Sequence, residues 1–231
     1  MTEWVNRQYL NNLEKYDKKD GAKALLTYCF IMCTAFFQGW LYTTNVSVSV
    51  LNASQVWIPL LITAVFLCFF RCSKEELRSV GINREHIGNS ILLGFAGGFL
   101  LLAVQTALFL AQGKTVSFIN PQLLNWIIFF FAAFEEEIVF RGYIQTRLSG
   151  LINGQWIVGI INSVLFLSIH YPVKWVVSGA VSMDVLSAVY VLSLLALHFF
   201  CDAVYKRTNC LWGAVILHII YNAVGAMILI R

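Results

Sequence analysis

Three consecutive carboxylates and an arginine interrupt apolar sequence at Phe134-Glu135-Glu136-Glu137-Ile138-Val139-Phe140-Arg141-Gly142, directly after the apolar run 123–133. A charge at the centre of a hydrocarbon layer costs about 2.5–3.5 kcal/mol on insertion scales, so acids inside a spanning run mark a functional site whose partners must be found. Glu137 and Arg141 are four residues apart, on one helical face, in the acid-first order that favours pairing. Glu136 projects about 100° away from that pair and Glu135 about 100° further round, so the three acids cannot all serve one site. Glu136, left unpaired by the arginine, is the candidate for taking a proton from water. The alternative is a set of charges flanking the cytoplasmic end of a spanning helix.

Two further pairs have helical four-residue spacing, Phe166 with His170 and His218 with Asn222, and each pair shares one helix face. A histidine within a spanning run faces the bundle interior, where imidazole accepts or donates a proton near neutral pH or binds metal. Taken singly, His170 reads as a polar residue at a helix end just before Pro172, and His218 with Asn222 reads as interhelical hydrogen bonding. Together they supply a carboxylate to activate water, a histidine to orient it, and a histidine and an amide to donate to a developing oxyanion. That is the minimum equipment for hydrolysing an amide bond.

These residues resemble the three motifs of the CAAX-protease and bacteriocin-processing (CPBP or Abi) intramembrane proteases. The matches are Glu136-Glu137-Ile138-Val139-Phe140-Arg141, Phe166 to His170, and His218 to Asn222, in the family's order and approximate spacing. Tyr205-Lys206-Arg207-Thr208 is similar to the family's approach to its last motif, and the resemblance covers residues 125–230. It implies an intramembrane endopeptidase with Glu136 as the water-activating glutamate and Glu137 as its neighbour held by Arg141. His170 would then activate or position the water, Phe166 would support it, and His218 and Asn222 would stabilise the oxyanion. Glu135 lies outside the motif and is given no role.

Glu136, His170 and His218 could hold a zinc ion with one open position, as in hydrolytic metal sites. The His-Glu-x-x-His helix of many such sites is absent, and the resemblance implies a glutamate-dependent mechanism with no cofactor. His198 and Asp202 form another four-residue pair, read as a polar patch supporting the core. The expected partners are the lipid bilayer and a membrane-associated peptide or protein: a prenylated CAAX tail, a pheromone or bacteriocin precursor, or another membrane protein. Two other functions stay open, a non-enzymatic bacteriocin-immunity or scaffold protein and a proton-coupled transporter. No internal repeat of segments supports the transporter.

The elements that must position this set follow from composition. The chain has 231 residues, of which 59% are hydrophobic and 12% charged, where a soluble domain would carry about a quarter charged residues. The fold class is therefore all-α, a polytopic transmembrane bundle. Seven apolar runs, at 24–42, 51–70, 87–111, 123–140, 155–170, 185–204 and 211–230, suggest about seven spans, with the catalytic core built from the last four. With the N-terminus cytoplasmic, all of the 16 lysines and arginines except Lys114, Lys174 and Arg231 fall on the inner side. The C-terminus is then outside, in an expected bacterial cell membrane. The net charge of +4 is no argument for nucleic acid, because the basic residues lie between apolar runs.

Residues 1–23 form a cytoplasmic leader, 24–111 the first three spans and 122–231 the protease core. The leader is either an interfacial helix lined by Trp4, Val5, Tyr9, Leu10, Leu13 and Tyr16 or a disordered tail. Gly94-Phe95-Ala96-Gly97-Gly98 predicts a close helix–helix contact, and the four-spaced cysteines Cys29 and Cys33, and Cys68 and Cys72, read as packing residues. One geometric tension stands. At about 1.5 Å per residue, His170 ends a span that begins at the inner face, whereas Glu136 and His218 would lie in the inner half. A tilted helix, or one starting before Gln155, would close that gap.

Overall fold

The computed structural model describes residues 4–44, 46–72, 75–113, 115–118 and 121–230. Lys74, Lys114 and Arg231 of the charge argument lie outside the described residues, as does the side chain of Cys72. The fold is an all-α bundle. Its helices are α1 (Arg7–Leu13), α2 (Lys18–Thr43), α3 (Val48–Cys72), α4 (Ile87–Ala111), α5 (Leu123–Glu137), α6 (Thr146–Leu148), α7 (Gln155–Ser168), α8 (Tyr171–Ser178), α9 (Ala188–Thr208) and α10 (Trp212–Met227). A π-helical segment, Ile138–Gln145, joins α5 to α6 without a break. A three-residue antiparallel pairing links β1 (Val116–Phe118) to β2 (Ile228–Ile230).

Among the described residues, five helical stretches are long and apolar enough to cross a membrane: Lys18–Thr43, Ser49–Cys68, Ile87–Ala111, Gln155–Ser178 and Ala188–Thr208. The other two expected runs correspond to the charge-bearing rod 123–148 and to α10, which has 16 residues. Leu92, Phe99, Leu100, Leu108 and Leu110 of α4 all point outward. A water-soluble fold would not leave such a stripe uncovered. The chain is a multi-pass membrane protein.

The glycine face of α4 meets α10, as its spacing predicts. A Cβ on Gly94 would overlap the backbone of Gly213, and Cβ atoms on Gly97 and Gly98 would lie 2.7 Å from Leu217 Cδ1 and 2.6 Å from Ile220 Cδ1. Ser90 Oγ accepts from the Gly213 N–H at 2.9 Å and donates to the Cys210 carbonyl at 2.9 Å. Small residues thus let α4 clamp the start of α10, the helix that carries His218 and Asn222.

The leader docks on the protein itself. Asn6 caps α1 by accepting from the Gln8 N–H at 2.8 Å, and the Asn6 N–H donates to the Lys206 carbonyl at 2.9 Å. Val5 and Tyr9 are buried, and Tyr9 meets Tyr205 edge to face at 5.6 Å. Burial, with Asp202 nearby, pushes the Tyr9 phenol well up from its ordinary range, so it stays protonated. A helix start at Lys18 also places the last residues of the leader inside α2, where Asp17 and Asp20 form a capping box.

Cys29, Cys33 and Cys68 are exposed on the outer surface rather than packed, whereas Cys201 and Cys210 are buried. Three cations assigned to the inner loops, Arg141, Arg147 and Lys206, are in fact buried side chains. Arg147 pairs with Glu75, donates to Ser79 and lies 4.4 Å over the Tyr143 ring. The charge bias therefore mixes solvated loops with interior partners.

Candidate active site

The site is built on the rod 123–148. Its π-helical turn is wider than an α-turn and leaves backbone groups to be satisfied from outside. Asn162 of α7 does so, donating Nδ2 to the Phe140 carbonyl at 3.1 Å and to Gln145 Oε1 at 3.0 Å. All eight residues from Ile138 to Gln145 are buried. Gly142 permits this, because a Cβ there would lie 2.8 Å from the Val80 carbonyl oxygen.

Glu137, with 0% side-chain exposure, faces two partners at one oxygen, an ion-pair partner and a hydrogen-bond partner. Arg141 Nη1 lies 3.1 Å and His218 Nδ1 2.7 Å from Glu137 Oε1. The first pairing is the one its spacing predicts. The second joins α10 to the rod. With Nδ1 so engaged, His218 turns Nε2 toward Glu136, whose Oε2 lies 3.9 Å away. That is too long for a direct hydrogen bond, but a water off the line can reach both atoms at about 2.8 Å. Glu136 is 20% exposed, and its Oε2 has no hydrogen-bond partner among the described residues. One acid is therefore locked and its neighbour is open.

Phe166 is fully buried at the centre of the cluster. The Arg141 guanidinium lies 4.3 Å over its ring. The rings of His170, Phe140, His198 and His218 lie 5.1, 5.3, 5.5 and 6.3 Å from it. His170 Nδ1 is 2.9 Å from the Phe166 carbonyl oxygen, which fixes the ring in place. Asn222 is half-buried one turn beyond His218 on α10. The structure thus gathers the three motifs around one aromatic ring.

The depth tension disappears because the helix bearing Glu136 does not end at Phe140. It continues to Leu148, eight residues beyond the end of the apolar run. The Phe166 ring lies 5.1 Å from the His170 ring and 6.3 Å from the His218 ring, so the two histidines share one level of the bundle.

Glu135 is buried on its own, with Oε1 unpartnered among the described residues. His198 packs on Phe166 but does not pair with Asp202. Asp202 instead accepts from Lys206 Nζ at 2.7 Å and from Gln145, while Lys206 also donates to the Gln155 carbonyl at 3.1 Å. That is the expected polar support with a different partner. Among the described residues no three His, Cys, Asp or Glu side chains converge as a metal site, and this includes Glu136, His170 and His218.

Sequence reasoning missed several neighbours. Tyr190 of α9 contacts the His170 ring at 6.4 Å, Tyr221 of α10 contacts the His218 ring at 6.4 Å, and the Tyr221 hydroxyl bonds Ser193 at 2.8 Å. An aromatic in an apolar helix carries no signal of this kind. Asn162 did carry one, as an amide in the middle of an apolar run.

Residues 118–224 match the family model of Rce1-like type II CAAX prenyl endopeptidases. Neither curated proteins nor solved structures give a match to the chain. The matched segment contains every residue of the three motifs and, with the several apolar spans, supports a CAAX-type protease acting within a membrane. Residues 118–224, which carry Glu136, Glu137, Arg141, His170, His218 and Asn222, are similar to the Rce1-like type II CAAX prenyl endopeptidases.

Proposed function

We propose that the protein is a glutamate-dependent intramembrane endopeptidase that hydrolyses a peptide bond in a membrane-associated peptide or protein. The observation that carries this reading is the placement of His218 between a locked Glu137, at 2.7 Å, and an open Glu136, at 3.9 Å. A water at that gap gives its proton to Glu136 as its oxygen bonds to the scissile carbonyl carbon. His170, fixed by the Phe166 carbonyl, orients that water. His218, held at Nδ1 by Glu137, turns the other edge of its ring toward the oxyanion, with the Asn222 amide as a donor. Collapse breaks the C–N bond, and Glu136 returns the proton to the departing amine. The products are a carboxylic acid, which ionises in water, and an amine, with no cofactor; zinc on Glu136, His170 and His218 is the reading set aside.

A prenylated CAAX tail, a pheromone or bacteriocin precursor and another membrane protein all fit an open acid within an apolar bundle. The distribution of lysine and arginine supports a cytoplasmic N-terminus and an external C-terminus, in a bacterial cell membrane. Mass spectrometry of membrane and secreted peptides tests the function in cells carrying wild type, Glu136→Gln or His218→Ala at matched expression. A peptide processed only by wild type is expected. Identical peptide profiles, with any toxin-resistance phenotype retained, would replace protease by immunity scaffold.

A further inference from the structure

A cavity of about 650 Å³ lies away from the active site, where α1, the start of α4 and the α9–α10 turn meet. Its lining includes Arg7, His86, Asn89, Arg207 and Leu92 and, among the described residues, no acid. The nearest acid in sequence, Glu85, pairs with Arg78 at 3.5 Å and lines a different cavity. Arg207 Nη1 donates to the Trp4 carbonyl at 2.9 Å, which holds its guanidinium across the leader. His86 precedes α4 at a positive φ of 57° and makes no side-chain cap for that helix.

The far wall is apolar. Leu92 is 67% exposed on the second turn of α4, a helix able to cross a membrane, and Trp4 is 45% exposed beside Arg207. Cations and amides at one end and outward leucines at the other place the cavity on the border between water and hydrocarbon. Guanidinium groups suit phosphate geometry, and basic pockets at such borders take anionic headgroups. We propose that this cavity binds the phosphate headgroup of an anionic phospholipid, with an acyl chain lying along Leu92 and Leu93. Free phosphate shares the headgroup chemistry, but the leucine wall gives it nothing to bury. The lipid would tie the leader, α4 and the turn before α10 together from outside.

The test uses the full chain in phosphatidylcholine nanodiscs, titrated with phosphatidylglycerol and read by the rise in unfolding temperature and by lipid retained on extraction. Wild type is expected to bind phosphatidylglycerol. Arg7→Gln should weaken binding about fivefold, and Arg7→Gln with Arg207→Gln by the square of that, at about 1 kcal/mol per surface arginine. Arg7→Lys should keep most of the affinity, which separates charge from fold. Lys174→Gln, at an exposed lysine distant in sequence from the cavity, should change nothing. Equal affinity in wild type and the double variant would overturn the proposal. Full competition by inorganic phosphate would overturn the lipid and leave a phosphate site.

Discussion

His218 Nδ1 and Glu137 Oε1 lie 2.7 Å apart across 81 residues of sequence, the shortest polar link between α10 and the charged rod. The same oxygen holds Arg141 at 3.1 Å, with both acid and base fully buried. Removing one member of such a set strands a buried charge, whereas replacing the whole pair can be nearly neutral. Glu137→Gln should therefore destabilise by about 3–5 kcal/mol, and Glu137→Gln with Arg141→Met should unfold closer to wild type than the single variant does. Denaturant unfolding in detergent measures both, and equal or additive losses would contradict a coupled pair.

Phe166 predicts a second effect. Because its ring contacts Arg141 and three histidines, Phe166→Ala should cost about 3–5 kcal/mol, the range for emptying a buried aromatic site. Phe166→Leu should cost less yet still lower turnover, because the rings it spaces would shift. Unfolding and cleavage measured on the same preparations distinguish the two outcomes. Unchanged turnover in Phe166→Leu would remove the ring from the positioning scheme.

The clamp between α4 and α10 gives a third. Gly94→Ala puts a methyl group into the Gly213 backbone and should cost about 1–3 kcal/mol. Gly88→Ala on the same helix meets nothing within 4 Å and should be neutral or slightly stabilising. Thermal unfolding of the two variants side by side checks the difference, and equal losses would mean that helix propensity, not close approach, governs α4.

The leader contact and the ion pair beneath it differ in weight. Tyr9 accepts from Gln145 Nε2 at 3.2 Å, and Gln145 keeps Asp202 as a second partner. Tyr9→Phe should cost about 0.5–1.5 kcal/mol and speed proteolysis in the leader. Lys206→Met removes the partner of buried Asp202 and should cost about 3–5 kcal/mol. A larger loss in Tyr9→Phe than in Lys206→Met would reverse the order of these contacts.

Four-residue spacing made Glu137–Arg141, Phe166–His170 and His218–Asn222 legible, because a helix brings such pairs together whatever surrounds them. The apolar runs made the bundle legible, and the glycines of α4 marked the closest contact. Three other features were not legible. The rod's continuation to Leu148 is hidden because the sequence turns polar at Gln145, Thr146 and Arg147, which reads as a loop until Asp202, Glu75 and Ser79 supply partners from other elements. Asp202 has four-residue partners on both sides, and spacing alone does not choose Lys206 over His198. The bond from His218 to Glu137 joins two motifs, and no periodicity within one helix encodes it.

Hydrolysis by purified, reconstituted protein in isotopically labelled water tests the role of Glu136 most directly, using the peptide that wild-type cells alone process. Wild type should place solvent oxygen in the new carboxylate. Glu136→Gln should cleave about 10²–10⁴-fold more slowly, the usual worth of a positioned base, while Glu135→Gln keeps its rate. Cleavage by Glu136→Gln at the wild-type rate, with the unfolding temperature unchanged, would contradict the assignment of Glu136 as the base.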